Sequence, residues 1–369
     1  MSSTTSSTFQ LTIGTLNFDI KEILTLQDLS KFNTLERQVV RFIQVWKNPE
    51  LSVTQQTSGS TGVPKEIKLL KSQMMASARS TVKALKLIAG DKAYLSVHPD
   101  YIGGKMMIVR AIEHHLTLII GPIIANPLKD LQDNVLVDFF SFVPYQLQTI
   151  LEESAAKIKM LNKAKAIILG GAAVSNTLEQ LIKEKLTAPC YSTYGMTETV
   201  SHVALKRLNG NLVGGVFHAI AGVQFAINAH GCLIIYAPHI TNVAALLTND
   251  VVRLISPTQF EWLGRHDFII NSGGIKIQAE ELEQRIGQLL NEQGIHNNFF
   301  VFGKAHEKWG EQLTLLIEAS EPIMAIESYL KDLPKTKRPK QIYYLDRFLY
   351  TGNDKLNRAD SIRAALSAH

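Results

Sequence analysis

Residues 57–65 read TSGSTGVPK: Gly59 and Gly62 are spaced by Ser60 and Thr61, and Lys65 follows after Val63 and Pro64. Glycines let backbone N–H groups approach an anion, the hydroxyls of Thr57, Ser58, Ser60 and Thr61 donate, and Lys65 adds charge, so the stretch suits a polyphosphate. It is not a Walker-type loop, which needs its second glycine beside the lysine and Ser or Thr after it. With LSV before it and KEIKLL after it, the stretch reads as a turn between two strands. Taken alone, it also reads as a solvated polar turn.

Upstream, TLERQVVRFIQVW at 34–46 places Leu35, Val39, Phe42 and Val45 at helical spacing behind Thr34 as N-cap. Downstream, SQMMASARSTVKALKLI at 72–88 is the next helix, with Met75, Ala78, Val82 and Leu85 on one face. Short apolar runs at 93–97, 116–120, 135–140 and 166–171 then alternate with helical segments at 103–114, 144–157 and 176–186. Such alternation predicts an α/β fold of mixed layers with a largely parallel sheet. From about 211 to 263 the chain is glycine-punctuated and strand-rich, which predicts a β subdomain; a small α+β segment with a helix at 279–290 follows Arg265. The expected division is a large domain over 1–265 and a small one over 266–369.

With 369 residues, 46% hydrophobic and 19% charged, the chain can bury a sizeable core. No apolar run approaches the roughly 18–20 residues that span a bilayer, so no membrane insertion is expected. The polar start MSSTTSSTFQ has no leader-like apolar core, and Cys190 and Cys232 form no disulfide framework; the expected location is cytoplasmic. Much of the +5 net charge lies in KDLPKTKRPK at 331–340, which reads as a solvated loop or as a patch for phosphates. No basic stripe interleaved with aromatics accompanies it, so a nucleic-acid partner is not expected.

Further stretches give the first loop a context. ILGGAAVS at 168–175, STYGMTET at 192–199, TND at 248–250, GRHDFIINSGGIKIQAEELE at 264–283 and TGNDKLNR at 351–358 follow it in order. Together with TSGSTGVPK they resemble the ordered motifs of the adenylate-forming superfamily, which includes acyl-CoA synthetases, luciferases and peptide-synthetase adenylation domains. The resemblance runs from about residue 54 to the end of the chain. It implies a large AMP-binding domain, a small mobile C-terminal domain, and ATP, Mg²⁺ and CoA as co-substrates and cofactor.

Carried over by motif, Thr57–Gly62 and Lys65 would hold ATP phosphates, and Gly170, Gly171 and Ala172 would run along the adenine, with Tyr194 and Gly195 packing beside it. Thr197 and Glu198 would contact phosphate, and Glu198 would be a ligand for Mg²⁺. Asp250 would accept from both ribose hydroxyls, with Arg265 in support. The family's glycine between them is Asn249 here, a residue that tolerates left-handed backbone. Asp267 falls at the family's hinge, Ser272, Gly273 and Gly274 at its pantetheine tunnel, and Lys355 at the lysine that guides the carboxylate to the α-phosphate.

The acyl pocket should draw on LSVHPDYIGGKMMIVRAI at 95–112, with Tyr101 before Gly103 and Gly104 as a gate, and His98 as the other candidate. Lys105 and Arg110 stand on an otherwise apolar helix there. A buried cation needs a partner, so they read either as a structural pairing or as receptors for a second substrate carboxylate. The run GGKMMIVRAI resembles the corresponding segment of short bacterial o-succinylbenzoate-CoA ligases of menaquinone biosynthesis, whose substrate is an aromatic dicarboxylate. Another acyl- or aryl-CoA ligase, an adenylation enzyme loading a carrier protein, and a non-catalytic nucleotide-binding relative stay open, as does a homodimer. Two departures from the family pattern stand out: only 56 residues precede the loop, and Glu66 replaces the glycine that commonly ends it.

Overall fold

The computed structural model describes residues 8–57, 65–210, 214–350 and 356–367. Two units emerge: one from the residues up to Gln224 with Ile235–Leu246 and Pro257–Gln259, the other from Phe225–Ile234, Leu247–Ser256 and the residues from Phe260 onward.

The first unit opens with β1 (Gln10–Ile13), β2 (Leu16–Asp19), α1 (Ile20–Thr25) and α2 (Thr34–Lys47). The hairpin β3 (Ser52–Thr57) and β4 (Lys65–Leu70) leads into α3 (Lys71–Ala84). Then come β5 (Lys92–Leu95), α4 (Ile102–Glu113), β6 (Thr117–Ile120), β7 (Phe139–Phe142), α5 (Pro144–Glu153), α6 (Ala155–Leu161), β8 (Ala166–Leu169), α7 (Asn176–Lys185), β9 (Cys190–Gly195), β10 (His202–Arg207) and β11 (Val216–Ala219). The strand order is β11-β10-β9-β8-β7-β5-β6-β1-β2. From β9 to β1 the neighbours are parallel.

Helices on both faces explain why β7 (FFSF) and β8 (AIIL) are buried at every position instead of alternating. Beneath α5, α6 and α7, Phe140, Phe142, Leu147, Ile150, Ile167 and Ile182 form one cluster of the core. Since β5 lies between β6 and β7, the chain leaving β6 must cross back over β5, and the strand order reverses there. Such a switch point opens a crevice at the carboxyl ends of the strands, where α/β proteins bind ligands. Residues 96–101 after β5 and Val143 after β7 stand at that end.

Local chemistry corrects several sequence expectations. Asn33, not Thr34, caps α2: its Oδ1 accepts from the Glu36 N–H at 3.0 Å, while Glu36 accepts from the Asn33 N–H at 2.8 Å. The buried stripe of α2 runs through Val39, Phe42, Ile43 and Trp46 and leaves Val45 exposed. In α3, Met74 is buried and Met75 is exposed. The strand expected at 135–140 starts at Phe139, because the Asp138 carboxylate accepts from the Lys92 N–H at 2.9 Å and anchors the entry.

The second unit holds strands of two sheets. The meander β12 (Gln224–Ile227), β13 (Cys232–Tyr236), β14 (Leu246–Ser256) and β15 (Gln259–Arg265) pairs in that order. After one turn at His266–Phe268 come β16 (Ile269–Ser272), β17 (Ile275–Gln278), α8 (Ala279–Glu292), β18 (Phe299–His306), β19 (Gly310–Glu318), α9 (Ile326–Tyr329), β20 (Gln341–Leu345) and α10 (Arg358–Ser367). Their sheet runs β17-β16-β19-β18, with β20 parallel to β19. Leu282, Ile286, Leu289 and Leu290 of α8 pack on Ile270, Val301 and Leu315. The unit thus joins the meander to the C-terminal sheet, whereas the sequence reading divides the chain after residue 265; within the unit, the change of sheet falls at that residue. Among the described residues no helix is long and apolar enough to cross a membrane.

Candidate active site

The opening loop hangs on a hairpin, as expected. β3 and β4 are antiparallel, with Thr57 opposite Lys65 and Gln56 opposite Glu66. Ser58, Gly59, Ser60, Thr61 and Gly62 lie outside the described residues. Glu66 is the second residue of β4, with an exposed side chain, so that position requires no glycine conformation.

Gly170 and Gly171 follow β8 directly, Ala172 is exposed beyond them, and the Ser175 hydroxyl caps α7 by accepting from the Leu178 N–H at 3.1 Å. On the neighbouring β9, Tyr194 is half-buried, with its ring 5.7 Å from that of Phe217. Gly195 closes the strand, and a Cβ there would stand 2.3 Å from the Ser201 carbonyl oxygen, so only glycine lets the chain fold back. The reversal is a 3-10 turn over Thr197–Thr199. The Thr199 hydroxyl fixes it, accepting from the Met196 N–H at 2.9 Å and donating to the Ser201 carbonyl at 2.7 Å. Val200, wholly buried, takes φ 63°. A β-branched residue in that region is strained, and such strain concentrates at functional sites.

The turn leaves Glu198 exposed, with no ion pair or side-chain hydrogen bond among the described residues. No group of three or more His, Cys, Asp and Glu among the described residues could hold a metal by itself. A lone free carboxylate beside a threonine hydroxyl fits Mg²⁺, which is held by one or two carboxylates plus substrate phosphates.

The two cations of α4 separate in role. Tyr101, the residue before the helix, is exposed, with its ring 5.9 Å from that of His98; Gly104 is buried beneath the His98 carbonyl. The Lys105 ammonium is half-buried and donates to Gln55 Oε1 at 2.8 Å and to the Thr54 carbonyl at 3.4 Å. Gln55 donates in turn to the Asp100 carbonyl at 2.9 Å, so Lys105 ties α4 to the hairpin that carries the loop. Burial lowers the Lys105 pKa, against the pull of Asp100.

Arg110 is 2% exposed and has no carboxylate partner among the described residues. Its Nη2 donates to Ser201 Oγ at 2.6 Å, and its buried Nε has no hydrogen bond among the described residues. Desolvation alone pulls its pKa down to about 9. Beside it, His202 is buried, and burial followed by the Arg110 charge keeps its imidazole well below the usual range. The sequence reading passed over Thr81, Ser201 and His202; the signal was a hydroxyl and an imidazole directly after YGMTETV, where a core strand begins.

In the second unit, Asp250 is a buried strand residue on β14. Trp262 Nε1 donates to its Oδ1 at 3.2 Å, and Arg265 Nη1 lies 3.9 Å from the same oxygen. Arg265 Nη2 reaches Asp267 at 2.7 Å. Burial works against the Arg265 charge, but Asp267, Asp250 and Glu280 outweigh it and raise the pKa. The Arg265 hydrogen bond, chiefly, lowers the Asp267 pKa. Asn249 stays in extended strand backbone, and its Nδ2 donates to Asp267 Oδ1 at 3.0 Å, so the Asn has a side-chain role there and no left-handed one.

Ser272 pairs with Ile275 across the two-residue turn Gly273–Gly274, with φ values of 58° and 81° that glycine accommodates. Lys355 lies outside the described residues; the bridge Tyr350–Leu356 brackets its segment. Of the basic stretch, Lys337 faces Glu281 at 3.5 Å, Arg338 donates to the Leu333 carbonyl at 2.8 Å and Lys340 to the Lys335 carbonyl at 3.2 Å, which favours the loop reading.

The family model described as AMP-binding enzyme matches residues 17–230, more than half of the chain. A 2-succinylbenzoate–CoA ligase of Haemophilus influenzae is 27% identical over 314 residues, 80% of this chain and 67% of that protein. One of Listeria monocytogenes is 24% identical over 336 residues, 86% and 70% of the two chains. Among solved structures, an acyl-CoA synthetase (AMP-forming)/AMP-acid ligase II-like protein from Dyadobacter fermentans is 36% identical with a TM-score of 0.63, covering 94% of this chain and 98% of its own. The o-succinylbenzoate coenzyme A synthetase of Bacillus subtilis, solved with ATP and magnesium ion, is 20% identical with a TM-score of 0.71, covering 85% and 70%; that likeness is one of fold.

Proposed function

The chain belongs to the AMP-binding enzyme family, and from that premise we propose that it is an AMP-forming carboxylate–CoA ligase acting on 2-succinylbenzoate, a step of menaquinone biosynthesis. In the first half-reaction a carboxylate oxygen bonds to the α-phosphorus of ATP and the bond to the β-phosphate oxygen breaks, releasing pyrophosphate. In the second, the CoA sulfur bonds to the acyl carbon, the acyl–oxygen bond to AMP breaks, and the thiol proton passes to solvent. Negative groups must approach one another in both, so positioning and electrostatics carry the catalysis.

The proposed roles follow the elements. The β3–β4 loop from Thr57 to Lys65 grips the leaving phosphates. Gly170, Gly171, Ala172, Tyr194 and Gly195 line the adenine, and Asp250 with Arg265 takes the ribose hydroxyls. Glu198, with Thr197, would hold Mg²⁺, which when bound neutralises phosphate charge. Lys355 touches the attacking carboxylate and the α-phosphate. Asp267 is the pivot between segments 1–265 and 266–369, supported by the change of sheet there. Ser272, Gly273 and Gly274 line the pantetheine path. Tyr101 and Gly104 border the acyl group, with Lys105 holding the helix to the β3 strand. The same reading puts the enzyme in the cytoplasm, where ATP and CoA are supplied; light scattering would test for a homodimer.

The observation that carries the substrate is Arg110: a buried guanidinium that has, among the described residues, no carboxylate and no partner for Nε, on the helix expected to line the acyl pocket. A fatty acyl chain gives such a cation nothing, whereas the second carboxylate of an aromatic diacid supplies the missing charge. Pyrophosphate exchange with a panel of aromatic and aliphatic acids, followed by thioester detection, tests the assignment. Exchange is expected with 2-succinylbenzoate; robust exchange with a monoacid and none with the diacid would sink it.

A further inference from the structure

A chain of buried and part-buried hydrogen bonds runs away from Arg110 into α3. Arg110 Nη2 donates to Ser201 Oγ at 2.6 Å, Ser201 Oγ stands 3.5 Å from His202 Nδ1, and His202 Nε2 stands 3.1 Å from Thr81 Oγ1. The Thr81 hydroxyl is 3.0 Å from the Ser77 carbonyl, four residues back on its helix. Arg110, Thr81 and His202 are all nearly or fully buried. Directions along the chain follow from what each group can do. Thr81 gives its single proton to the Ser77 carbonyl, so it can only accept from His202, and Nε2 must carry the imidazole hydrogen. Nδ1 then presents a lone pair, which takes the Ser201 proton and leaves Ser201 Oγ free to accept from Arg110. Every donor points the same way, an arrangement in which each bond polarises the next.

We propose that His202 is a positioning residue for acyl-substrate recognition: as its neutral Nε2–H tautomer it orients the Ser201 hydroxyl, which holds one nitrogen of Arg110 and leaves the orphaned Nε edge for the substrate's second carboxylate. The inference rests on the diacid reading and deepens it. It explains why an imidazole is buried beside a cation: only a group that accepts at one end and donates at the other passes the constraint from the α3 backbone to the guanidinium. A protonated imidazole would offer two donors, reverse the Ser201 hydroxyl and place a second charge beside Arg110.

The test uses the full chain and steady-state adenylation kinetics with 2-succinylbenzoate and with the monoacid analogue that keeps only the carboxylate to be adenylated. His202→Leu and Ser201→Ala should each raise the KM for the diacid about tenfold, the scale of losing a hydrogen bond to a charged group. Turnover at saturation and the KM for ATP should stay within about twofold, because the change acts on substrate recognition alone. The double variant should be little worse than either single one, since both break the same chain. His202→Gln, with an amide donor and an amide acceptor, should recover most of the loss. Nitrogen NMR should show, among the signals of the eleven imidazoles, a protonated Nε2 and an unprotonated Nδ1 that vanish in His202→Gln. If His202→Leu does not fold, Ser201→Ala and the NMR tautomer carry the test. An Nδ1–H tautomer, or equal KM values for His202→Leu and wild type while Arg110→Ala raises the diacid KM, overturns the role of His202 and leaves the diacid reading standing. An Arg110→Ala variant that treats diacid and monoacid alike removes both.

Discussion

Replacing Arg110 with Met should make the ligand-free protein more stable and the enzyme worse. Met matches the length of the aliphatic part and needs no partner. The guanidinium is 2% exposed and is pulled down to about 9 by desolvation alone. At about 1.4 kcal/mol per tenfold change in proton affinity, that fall sets a cost of about 4 to 5 kcal/mol on the charged form. The hydrogen bond to Ser201 returns about 1.5 to 3 kcal/mol. About 2 kcal/mol of net gain remains, inside the range of about 1 to 4 found when buried ionic groups give way to apolar ones.

The pH dependence has a definite sign. A base whose folded pKa is depressed binds fewer protons folded than unfolded only between the two pKa values, so the Arg110 cost is full and constant below about 9 and fades above it. His202 is also depressed, so stability falls as pH drops through its unfolded value near 6.5; removing the Arg110 charge lessens that fall. The advantage of Arg110→Met in urea unfolding should therefore be flat from about pH 7 to 8 and widen below 6.5. In adenylation assays the diacid KM should rise about 30-fold or more, the cost of leaving a buried carboxylate unpaired. A variant less stable than wild type without ligand would refute the reasoning, because it would mean that Arg110 already has its counter-charge within the protein.

Other outcomes test separate parts of the site. Lys355→Ala should abolish pyrophosphate exchange while sparing thioester formation from supplied acyl-adenylate; equal loss of both would contradict its role. Arg358→Ala should destabilise the second unit by about 3 kcal/mol at neutral pH, because the pair Arg358–Glu283 at 2.7 Å is mostly buried and the carboxylate would lose its cation. Burial raises the Glu283 pKa and Arg358 opposes it, so without Arg358 the folded form binds more protons than the unfolded one above pH 4.5. Its cost should thus shrink as pH is lowered toward 4.5, and a pH-independent loss in urea titrations would count against it. Glu198→Gln should lower exchange and raise the Mg²⁺ concentration for half-maximal rate; an unchanged Mg²⁺ dependence would remove Glu198 from the metal.

The architecture was legible because its strands announce themselves. Runs such as AIIL, apolar at every position, of strand length and bounded by turn residues, suit strands covered on both faces, and alternation with helices suits a parallel sheet. What periodicity could not supply was the choice among adjacent apolar residues: Val45 against Ile43 and Trp46 in α2, or Met75 against Met74 in α3. One residue of rotation is about 100°, and the decision belongs to the neighbour packed against the helix. Trp46, for example, is turned inward with its indole N–H on Glu113, 67 residues away. A long-range partner leaves no mark in the local pattern.

The candidate site shows the same limit in sharper form. Lys105 and Arg110 looked equivalent on paper, two cations on one apolar helix. Five residues put them about 500° apart around the helix axis, some 140° from coincidence, so one neighbour set could not serve both. Lys105 turns to the β3 strand and finds neutral oxygens, which a lysine on a flexible stem can share with water. Arg110 turns inward, where a fixed planar fork finds a serine and, among the described residues, no carboxylate. Burial of a permanently charged group with incomplete pairing costs stability in the empty protein, and a site that bears such a cost has use for the charge only when something arrives to meet it. The distinction between a structural cation and a substrate-binding one therefore lay in the partners of each head group, of which Ser201 is 91 residues from Arg110 in sequence.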